Sequence, residues 1–520
     1  MILAPDAAFE RFRKSVPSYT KWTFAASVVF GLIAHLYMLT NKLPNHDDIF
    51  HLFQCDYGTQ SGRWFLPTVL QWDGDFSMPW LIGVLGILCL AGTACITTSL
   101  FHIRRPLACI ITAALLVSFP TVASTFTYMF TADAYFFGLF LAAFAAFAVA
   151  RFAIIGLPVG AVALILSMGI YQSYFPVATV LLVGTLLFDC LEGQHSFLQI
   201  LGRGIKMVVM LGLGIIVYMA AARWATANMG GLSDYMGISS MGSVSLDQLP
   251  SLIRKCYECY REYFIDNQFG WNFGFIRYLL LAAAGSGLVI LLLLIVRRSV
   301  GVLRGVLALV LVVCYPLAGA LIHIMVGGAE IHFLMIYGCV YILILPIALA
   351  SFAGEQFVET GSLRSGIQAI LSWIIMIAMA FTAYSYTVAD NKAYLSMEVS
   401  YEQISAYSNR LVSAIQSVDG YTTDMPVVLV GSSGSDAMLD LTPEQDEITL
   451  TGVLKASTYR TQYSYGYYLN RFLALPNAVY MDDMPDEIKT AIGDVKSWMP
   501  TYPQEGSIQI VNGYIVVRLN

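Results

Sequence analysis

Charged residues are scarce in this sequence. Lysine, arginine, aspartate and glutamate make up 12% of the 520 residues, whereas 58% of the residues are hydrophobic. A soluble globular chain has roughly 25% charged residues. The composition therefore excludes an ordinary soluble domain and predicts a polytopic membrane protein.

The sequence also lacks the short motifs of several soluble enzyme classes. It contains no P-loop, no GxGxxG before a strand, no HExxH and no GxSxG. The run Gly431-Ser-Ser-Gly434 follows a predicted strand but has no Walker lysine, and no basic patch is interleaved with aromatic residues. Neither a nucleotide-hydrolysing site nor a nucleic-acid interface is predicted.

Cysteine ligands for a metal are also few. Most of the nine cysteines lie inside apolar runs, where a small hydrophobic residue is the default interpretation. Cys256 and Cys259 form a CxxC, but no second pair and no nearby histidines accompany it. A helical turn with two thiols, or a disulfide between them, is favoured over a metal site.

What the sequence has in abundance is apolar runs of membrane-spanning length. We expect eleven crossings, at about residues 22–41, 79–101, 106–126, 130–150, 154–171, 174–190, 205–224, 276–296, 304–326, 333–352 and 367–388. Basic residues before the first run predict a cytoplasmic N-terminus by the positive-inside rule. The first run is about 20 residues long without a cleavage motif after it, so we expect a retained helix and not a signal peptide.

This count predicts two domains. Residues 1–388 form the membrane domain, with a first outer loop at 42–78 and a second at 225–275, and residues 389–520 form a small extracytoplasmic α/β domain. The latter segment has sixteen acidic and eight basic residues. A buried strand is predicted at Pro426–Gly431, and Asn512-Gly513 between two apolar runs predicts a hairpin.

The two outer regions also carry aromatic residues. Residues 249–266 predict an amphipathic helix, which either lies in the membrane interface or caps the bundle. The C-terminal domain contains a tyrosine-rich run: Tyr459, Tyr463, Tyr465, Tyr467 and Tyr468.

The first outer loop contains the most informative residues. Asn45 is a good N-cap, and Asp47 and Asp48 fall in the first turn of the helix it would begin, where carboxylates suit the helix dipole. His51 lies four residues beyond Asp47 and shares its face. A carboxylate held beside the bilayer also suits a general base, because partial desolvation raises its pKa.

Three further places carry polar groups at predicted outer helix ends. Arg63 and Trp64 pair a guanidinium suited to phosphate with an indole suited to the headgroup region, although both residues also fit an interfacial anchor. Asp133 opens the fourth predicted helix, and Tyr171-Gln172 interrupts an apolar hairpin. Two acidic sites on one membrane face favour a shared pocket.

These residues, in this order, resemble the GT-C superfamily of integral-membrane glycosyltransferases, which use polyprenyl-phosphate sugars. The acidic pair followed by GRW at 62–64, TADAYFFG at 131–138 and GIYQSYF at 169–175 are most similar to the Gtr family of bacterial and phage serotype-converting glucosyltransferases, which modify O-antigen. The resemblance covers about residues 20–350.

The resemblance implies roles for individual residues. Asp47 would be the general base, with Asp48 as its neighbour or substitute, and Asp133 would be the second acid. Arg63 is the candidate for the donor phosphate on chemical grounds, and His332 could take the place of a basic residue beside it. Trp64, His51, Tyr171 and Gln172 complete the predicted substrate-binding set.

The implied reaction is a direct inverting displacement. A hexose, with glucose favoured, would pass from undecaprenyl phosphate to a periplasmic glycan such as O-antigen, at the bacterial inner membrane. No metal or other cofactor is expected, because a phosphomonoester is an adequate leaving group. Expected partners are the membrane lipid, the lipid-linked donor, the glycan acceptor and an upstream donor-synthesising glycosyltransferase and flippase, but no nucleic acid. The tyrosine-rich run of the C-terminal domain would be a candidate platform for the acceptor glycan. An O-antigen polymerase or ligase and a lipid-linked-sugar flippase or transporter are the alternatives.

Overall fold

The computed structural model describes residues 4–53, 58–233, 244–296, 300–356, 363–431, 439–440, 442 and 449–519. Most of these residues are helical. The helices before the C-terminal domain are α1 Pro5–Ser15, α2 Ser18–Thr40, α3 His46–Phe50, α4 Leu66–Leu70, α5 Pro79–Leu100, α6 Pro106–Ser118, α7 Pro120–Phe126, α8 Ala132–Arg151, α9 Gly156–Ile170, α10 Phe175–Glu192, α11 Phe197–Thr226, α12 Leu249–Tyr260, α13 Ile276–Ile295, α14 Val302–Gly319, α15 Ile322–Met325, α16 Tyr341–Gln356 and α17 Leu363–Gln416.

The described residues include nine helices that are long and apolar enough to cross a membrane, or ten if α6 and α7 form one span. The protein is therefore a polytopic membrane protein, as predicted. Each of the eleven predicted runs contains an apolar helix, but the run at 154–171 forms only α9. With 15 residues, α9 is roughly 22 Å long and shorter than the hydrocarbon core of a bilayer, so the count of eleven is not confirmed.

A proline separates α6 from α7. Phe119 precedes Pro120 and adopts an extended backbone with φ −61° and ψ 131°, as expected for a residue whose α conformation clashes with the following proline ring. The two helices meet at an angle of 44°. The bend places the residues after α7 at the end of the bundle, where the candidate site lies.

The longest helix joins the bundle to the C-terminal domain. Helix α17 has 54 residues and is roughly 80 Å long, far more than a bilayer requires. Its first half packs in the bundle core through residues such as Met379 and Tyr386, and its last turns pack in the second core through Ile404 and Leu411. The boundary predicted at residue 388 thus falls inside a continuous helix.

The C-terminal domain contains a four-stranded sheet of order β2-β1-β4-β3. Its elements are β1 Val427–Val430, α18 Tyr465–Leu473, β2 Ala478–Tyr480, α19 Asp486–Ile492, β3 Ile508–Val511 and β4 Tyr514–Arg518. Strand β1 runs parallel to both β2 and β4, and β3 and β4 form an antiparallel hairpin. Asn512 and Gly513 both have positive φ (47° and 83°), so the predicted hairpin turn and the predicted strand at 426–431 are confirmed.

The predicted amphipathic helix at 249–266 is also confirmed, as α12 followed by a π-helical turn at Arg261–Ile265. It packs on the end of α14: the hydroxyls of Tyr257 and Tyr260 donate to backbone carbonyls of Val313 and Pro316, at 2.9 Å in each case. Helix α12 therefore caps the bundle at the end of α14. Both of its cysteines are free thiols; residues 234–243 of the predicted second loop lie outside the described residues.

Two glycines permit close approach where α14 ends and α16 begins. A Cβ on Gly319 would lie 2.8 Å from the carbonyl oxygen of Gly338, and a Cβ on Gly338 would overlap the carbonyl oxygen of Gly319. These carbonyl oxygens are backbone atoms, which cannot rotate away as a side chain can; the hydroxyl of Tyr260, 2.7 Å from the Cβ position of Gly319, adds to the crowding there. Neither position tolerates a side chain without a shift of the backbone.

We therefore expect Gly338→Ala to lower the free energy of unfolding by about 1–3 kcal/mol, the usual cost of overpacking. Thermal unfolding of purified protein in detergent measures the effect. Gly285→Ala in α13 is the control, because no atom lies within 4 Å of its added Cβ and alanine favours a helix interior. Equal melting temperatures for the two variants would contradict the packing argument.

Candidate active site

A cavity lies at the end of the helix bundle that contacts the C-terminal domain. Its empty volume, including the open mouth, is about 770 Å3. The lining comes from α3, the loop before α4, the turns before α8 and α10, α15 and the segment after it, and one residue of the C-terminal domain: Asp47, Arg63, Tyr128, Phe130, Thr131, Tyr135, Tyr171, Gln172, Ser173, Ile322, Met325, Val326, His332, Leu334, Met335 and Thr451.

Asp48 lies next to this cavity but does not line it. Its side chain is fully buried and accepts hydrogen bonds from the hydroxyl of Ser77 (3.2 Å) and from the backbone nitrogens of Phe130 (2.9 Å) and Met129 (3.3 Å). The carboxylate thus connects the loop after α2 to the turn that begins α8.

The same carboxylate completes the N-cap of α3. The Asn45 side chain accepts from the Asp48 nitrogen (2.9 Å), and the Asn45 nitrogen donates to the Asp48 carboxylate (3.4 Å), which forms a reciprocal capping box. Burial raises the pKa of Asp48, while nearby Lys42 and the backbone N–H donors oppose the rise. The N-cap predicted at Asn45 is confirmed, and the hydrogen bonds of Asp48 to described residues position the loop.

Asp47, in contrast, faces the cavity. Its side chain is 29% exposed, accepts a hydrogen bond from the hydroxyl of Tyr463 at 2.7 Å and lies 3.7 Å from Nε2 of His46. Burial lowers the pKa of His46, and the Asp47 charge opposes this shift. Of the two neighbouring aspartates, Asp47 is the one placed to accept a proton from a bound molecule.

Arg63 supplies a positive charge to the cavity. It is 7% exposed, and its Nη1 donates to the hydroxyl of Tyr135 at 2.9 Å. Its guanidinium carbon lies 5.0 Å from the centroid of the Tyr171 ring, which stacks on Tyr135 at 4.6 Å with an interplanar angle of 4°. The two aromatic rings fix the cation by contact with their faces.

Gln172 holds the loop that carries Arg63. Its amide nitrogen donates to the carbonyl of Ser61 (2.8 Å) and to the hydroxyl of Tyr218 (2.7 Å), and Tyr218 in turn donates to the carbonyl of Gly62 (3.3 Å). Gln172 lines the cavity, but its donors are engaged in positioning this loop.

His332 lies in the cavity wall just before a short 3₁₀ turn at Phe333–Met335. Burial lowers its pKa; Glu330 opposes the shift and Arg63 adds to it. His332 and Arg63 thus place an imidazole with a lowered pKa in the same cavity as a guanidinium cation.

Asp133 is not brought into this cavity. It lines a separate, largely apolar groove together with Asp73, Trp72 and Cys89. Burial raises the pKa of Asp73, and the side chains of Asp73 and Asp133 hydrogen-bond to each other. The shared pocket expected for Asp47, Asp48 and Asp133 is thus not what the structure shows, because Asp133 and Asp47 line different cavities and Asp48 lines neither.

Two other predicted site residues lie behind the cavity wall. His51 is stacked on the ring of Phe130, with centroids 4.7 Å apart and an interplanar angle of 18°. Trp64 packs so closely on α9 that a Cβ on Gly169 would lie 2.9 Å from its ring. Neither side chain lines the cavity, and substrate contact by either of them stays a prediction.

The sequence did not identify Tyr463 or Thr451 as site residues. Tyr463 was noted only as one of several aromatic residues, and it reaches Asp47 across 416 positions of sequence. Thr451 contacts the bundle through the hydroxyl of Thr127 and the nitrogen of Phe333, at 3.2 and 3.1 Å. No local sequence pattern indicates contacts between residues that lie so far apart in the chain. Among the described residues, no group of three or more His, Cys, Asp or Glu side chains could hold a metal ion.

Fold and site together define a class: a polytopic membrane protein whose candidate active site lies at one end of the bundle and contains a half-buried carboxylate, an arginine and an imidazole. A family model described as glucosyl transferase GtrII matches residues 36–343. The match spans more than half of the chain, and the chain belongs to the GtrII glucosyl transferase family. It is a membrane-embedded glycosyltransferase, and the resemblance found in the sequence is confirmed. No curated protein and no solved structure matches the chain.

The contacts of the two aspartates predict different consequences of neutralising each. We expect Asp48→Asn to lower the free energy of unfolding by about 1–3 kcal/mol, because an amide cannot accept from all the buried donors that face this position. Asp47→Asn, at a half-exposed position, should change the free energy of unfolding by less than about 0.5 kcal/mol. Thermal unfolding of the two variants in detergent measures both. A more destabilised Asp47 variant would contradict this assignment.

Proposed function

We propose that the protein transfers a hexose, with glucose favoured, from undecaprenyl phosphate to a periplasmic glycan such as O-antigen. One observation carries the proposal: a single cavity in a GtrII-family chain contains both the Asp47 carboxylate and the Arg63 guanidinium. A glycosyl transfer from a lipid phosphate needs a proton acceptor for the attacking hydroxyl and a positive charge for the departing phosphate.

Asp47 is the proposed general base. The acceptor hydroxyl gives its proton to this carboxylate as its oxygen forms a bond to the anomeric carbon of the donor sugar. The bond between that carbon and the phosphate oxygen breaks at the same time, so the configuration of the sugar inverts. The hydrogen bond from Tyr463 (2.7 Å) holds the carboxylate in one orientation for this transfer.

Arg63 is the proposed partner of the leaving phosphate. Its guanidinium carbon lies over the rings of Tyr171 and Tyr135 in the cavity lining, and a planar guanidinium matches two phosphate oxygens at once. The negative charge that develops on the phosphate also favours protonation of His332. This chemistry requires no metal, since a phosphomonoester is an adequate leaving group.

The remaining lining fits the lipid part of the donor. Ile322, Met325 and Val326 come from α15 and its C-terminal end, at the level where the bundle meets the C-terminal domain. An isoprenoid that extends from these side chains towards the bilayer would leave its phosphate in the cavity. An inner-membrane location, a periplasmic C-terminal domain and an upstream enzyme and flippase that supply the donor all belong to this proposal.

The alternatives receive less support. A polymerase or ligase would need arginine-rich outer loops, whereas Arg63 is the one arginine in the described lining of the cavity. A transporter would have ionisable residues within its helices. His35 and Asp390 are indeed buried in α2 and α17, but family membership identifies an enzyme.

We expect Asp47→Asn to lower kcat for transfer from undecaprenyl-phosphate glucose by about 10²–10⁴-fold, the usual contribution of a general base. Radiolabelled glucose incorporated into O-antigen polysaccharide by purified protein measures the effect, with and without a chelator, to which we expect wild-type transfer to be insensitive. Asp486→Asn is the control, because the Asp486 side chain is 99% exposed on α19. Full activity of the Asp47 variant would overturn the role of Asp47.

From the lowered pKa of His332 we expect donor binding to depend on pH. The pKa of His332 lies below the ordinary value of 6.5 in the free protein, and a bound donor phosphate raises this pKa. At a pH between the pKa of the free protein and that of the complex, binding of the donor therefore takes up a proton. Affinity for the donor therefore increases as the pH falls through this interval. The donor is a phosphodiester, whose own charge is constant between pH 5 and pH 8.

Calorimetric titration of the Asp47→Asn protein with undecaprenyl-phosphate glucose at several pH values measures this dependence without turnover. His332→Gln in the same background should reduce the slope of affinity against pH, since Glu330, His46 and the other titrating groups are common to both proteins. Equal slopes would show that His332 does not respond to the phosphate.

A further inference from the structure

A second cleft lies on the C-terminal domain, between α3, α18 and β2. Its empty volume, including the open mouth, is about 1040 Å3. Its lining is aromatic and neutral polar, with one acidic residue: Phe50, Gln462, Tyr463, Gly466, Tyr467, Asn470, Asn477, Ala478, Val479, Tyr480 and Asp483. No lysine or arginine is among these described lining residues.

Three of the four aromatic side chains that line the cleft are exposed to a ligand, whereas Tyr480 is buried. Tyr463 and Tyr467 are 44% and 43% exposed, and Phe50 is 37% exposed. The ring of Phe50 meets those of Tyr467 and Tyr463 edge to face, at centroid distances of 5.1 and 6.2 Å. Tyr459, Tyr465 and Tyr468 from the same tyrosine-rich run are buried in the domain core instead, so only part of the expected platform is available.

These exposed rings are held in place. Arg471 lies 4.7 Å from the centroid of the Tyr467 ring and donates to the carbonyls of Ile49 (2.6 Å) and Phe50 (2.9 Å), which ties α18 to α3. A Cβ on Gly466 would lie 2.5 Å from the carbonyl oxygen of Ala478, so the glycine lets α18 pack directly on β2. A rigid aromatic surface loses little entropy when a ligand binds.

The cleft adjoins the candidate active site, because residues that line the one contact residues that line the other. Tyr463 lines the cleft and its hydroxyl donates to Asp47, which lines the cavity. Phe50 lines the cleft from the same short helix, α3, that carries Asp47. A chain-like molecule with one reacting group at Asp47 would therefore extend over Phe50, Tyr463 and Tyr467.

We propose that this cleft binds the acceptor glycan, as a subsite for the neutral sugars that flank the reacting one. The inference rests on the proposed function. The apolar C–H face of a hexose packs on aromatic rings, and the side-chain amides of Gln462, Asn470 and Asn477 can both donate to and accept from sugar hydroxyls. Asp483 can accept from a hydroxyl and would repel a phosphate or an acidic glycan.

Kinetic measurements with two acceptors test the subsite. With O-antigen polysaccharide as the acceptor, Tyr467→Ala should raise KM about tenfold, the loss of one aromatic contact, and change kcat less than KM. The effect should be smaller with a single repeat unit of the same glycan, which does not reach Tyr467. Trp498→Ala is the control, since Trp498 is 51% exposed on the same domain outside the cleft lining. Equal KM values for the Tyr467 variant and the wild type would overturn the proposal.

Binding without catalysis separates this inference from the proposed function. Saturation-transfer NMR of the full-length protein in detergent, with neutral O-antigen oligosaccharides of several repeats as the probe, should show contacts that Tyr467→Ala reduces and Trp498→Ala does not. If the wild type binds these oligosaccharides but transfers no sugar to them, the proposed reaction fails and the subsite stands. If the wild type transfers glucose but the cleft variant binds and reacts normally, the subsite fails and the reaction stands. Preference for acidic over neutral oligosaccharides would also overturn the subsite.

Discussion

The buried carboxylate of Asp48 is the interaction on which the site depends. A charge in a protein interior is costly unless hydrogen bonds replace its lost hydration, and here the donors come from three separate segments: the N-cap of α3, Ser77 and the turn before α8. Because these donors must converge on one group, the loop after α2 has a single position relative to α8. That position in turn places the neighbouring Asp47 in the cavity and Ile49 in the core of the C-terminal domain.

The two adjacent aspartates, Asp47 and Asp48, have different surroundings and different contacts. The side chain of Asp48 is buried and positions the backbone through hydrogen bonds. Asp47 is half exposed and contacts Tyr463 from the C-terminal domain. Gln172 has a supporting role like that of Asp48: it holds the loop that carries the positively charged Arg63. The candidate active-site cavity is therefore built from short turns at helix ends, and the C-terminal domain supplies part of its wall.

Local patterns predicted much of this correctly. The N-cap at Asn45, the strand at 427–430 and the Asn512-Gly513 turn each depend on a few neighbouring residues, and each was found. The position of Asp133 depends instead on the rotation of α8. Asp133 and Tyr135 are two residues apart, so their side chains point roughly 200° apart around the helix; Tyr135 lines the cavity and Asp133 faces the groove with Asp73. Likewise, only the fold could show that α17 continues past residue 388 or that Tyr463 contacts Asp47.

A structure of the protein with a bound donor tests the central claim most directly. Electron cryomicroscopy of the Asp47→Asn protein in lipid nanodiscs, with undecaprenyl-phosphate glucose added, would locate the phosphate and the sugar. The account predicts the phosphate in contact with the Arg63 guanidinium, the anomeric carbon in the same cavity, and space for a hydroxyl between that carbon and residue 47. A donor phosphate in the groove of Asp73 and Asp133, or at the opposite end of the bundle, would contradict it.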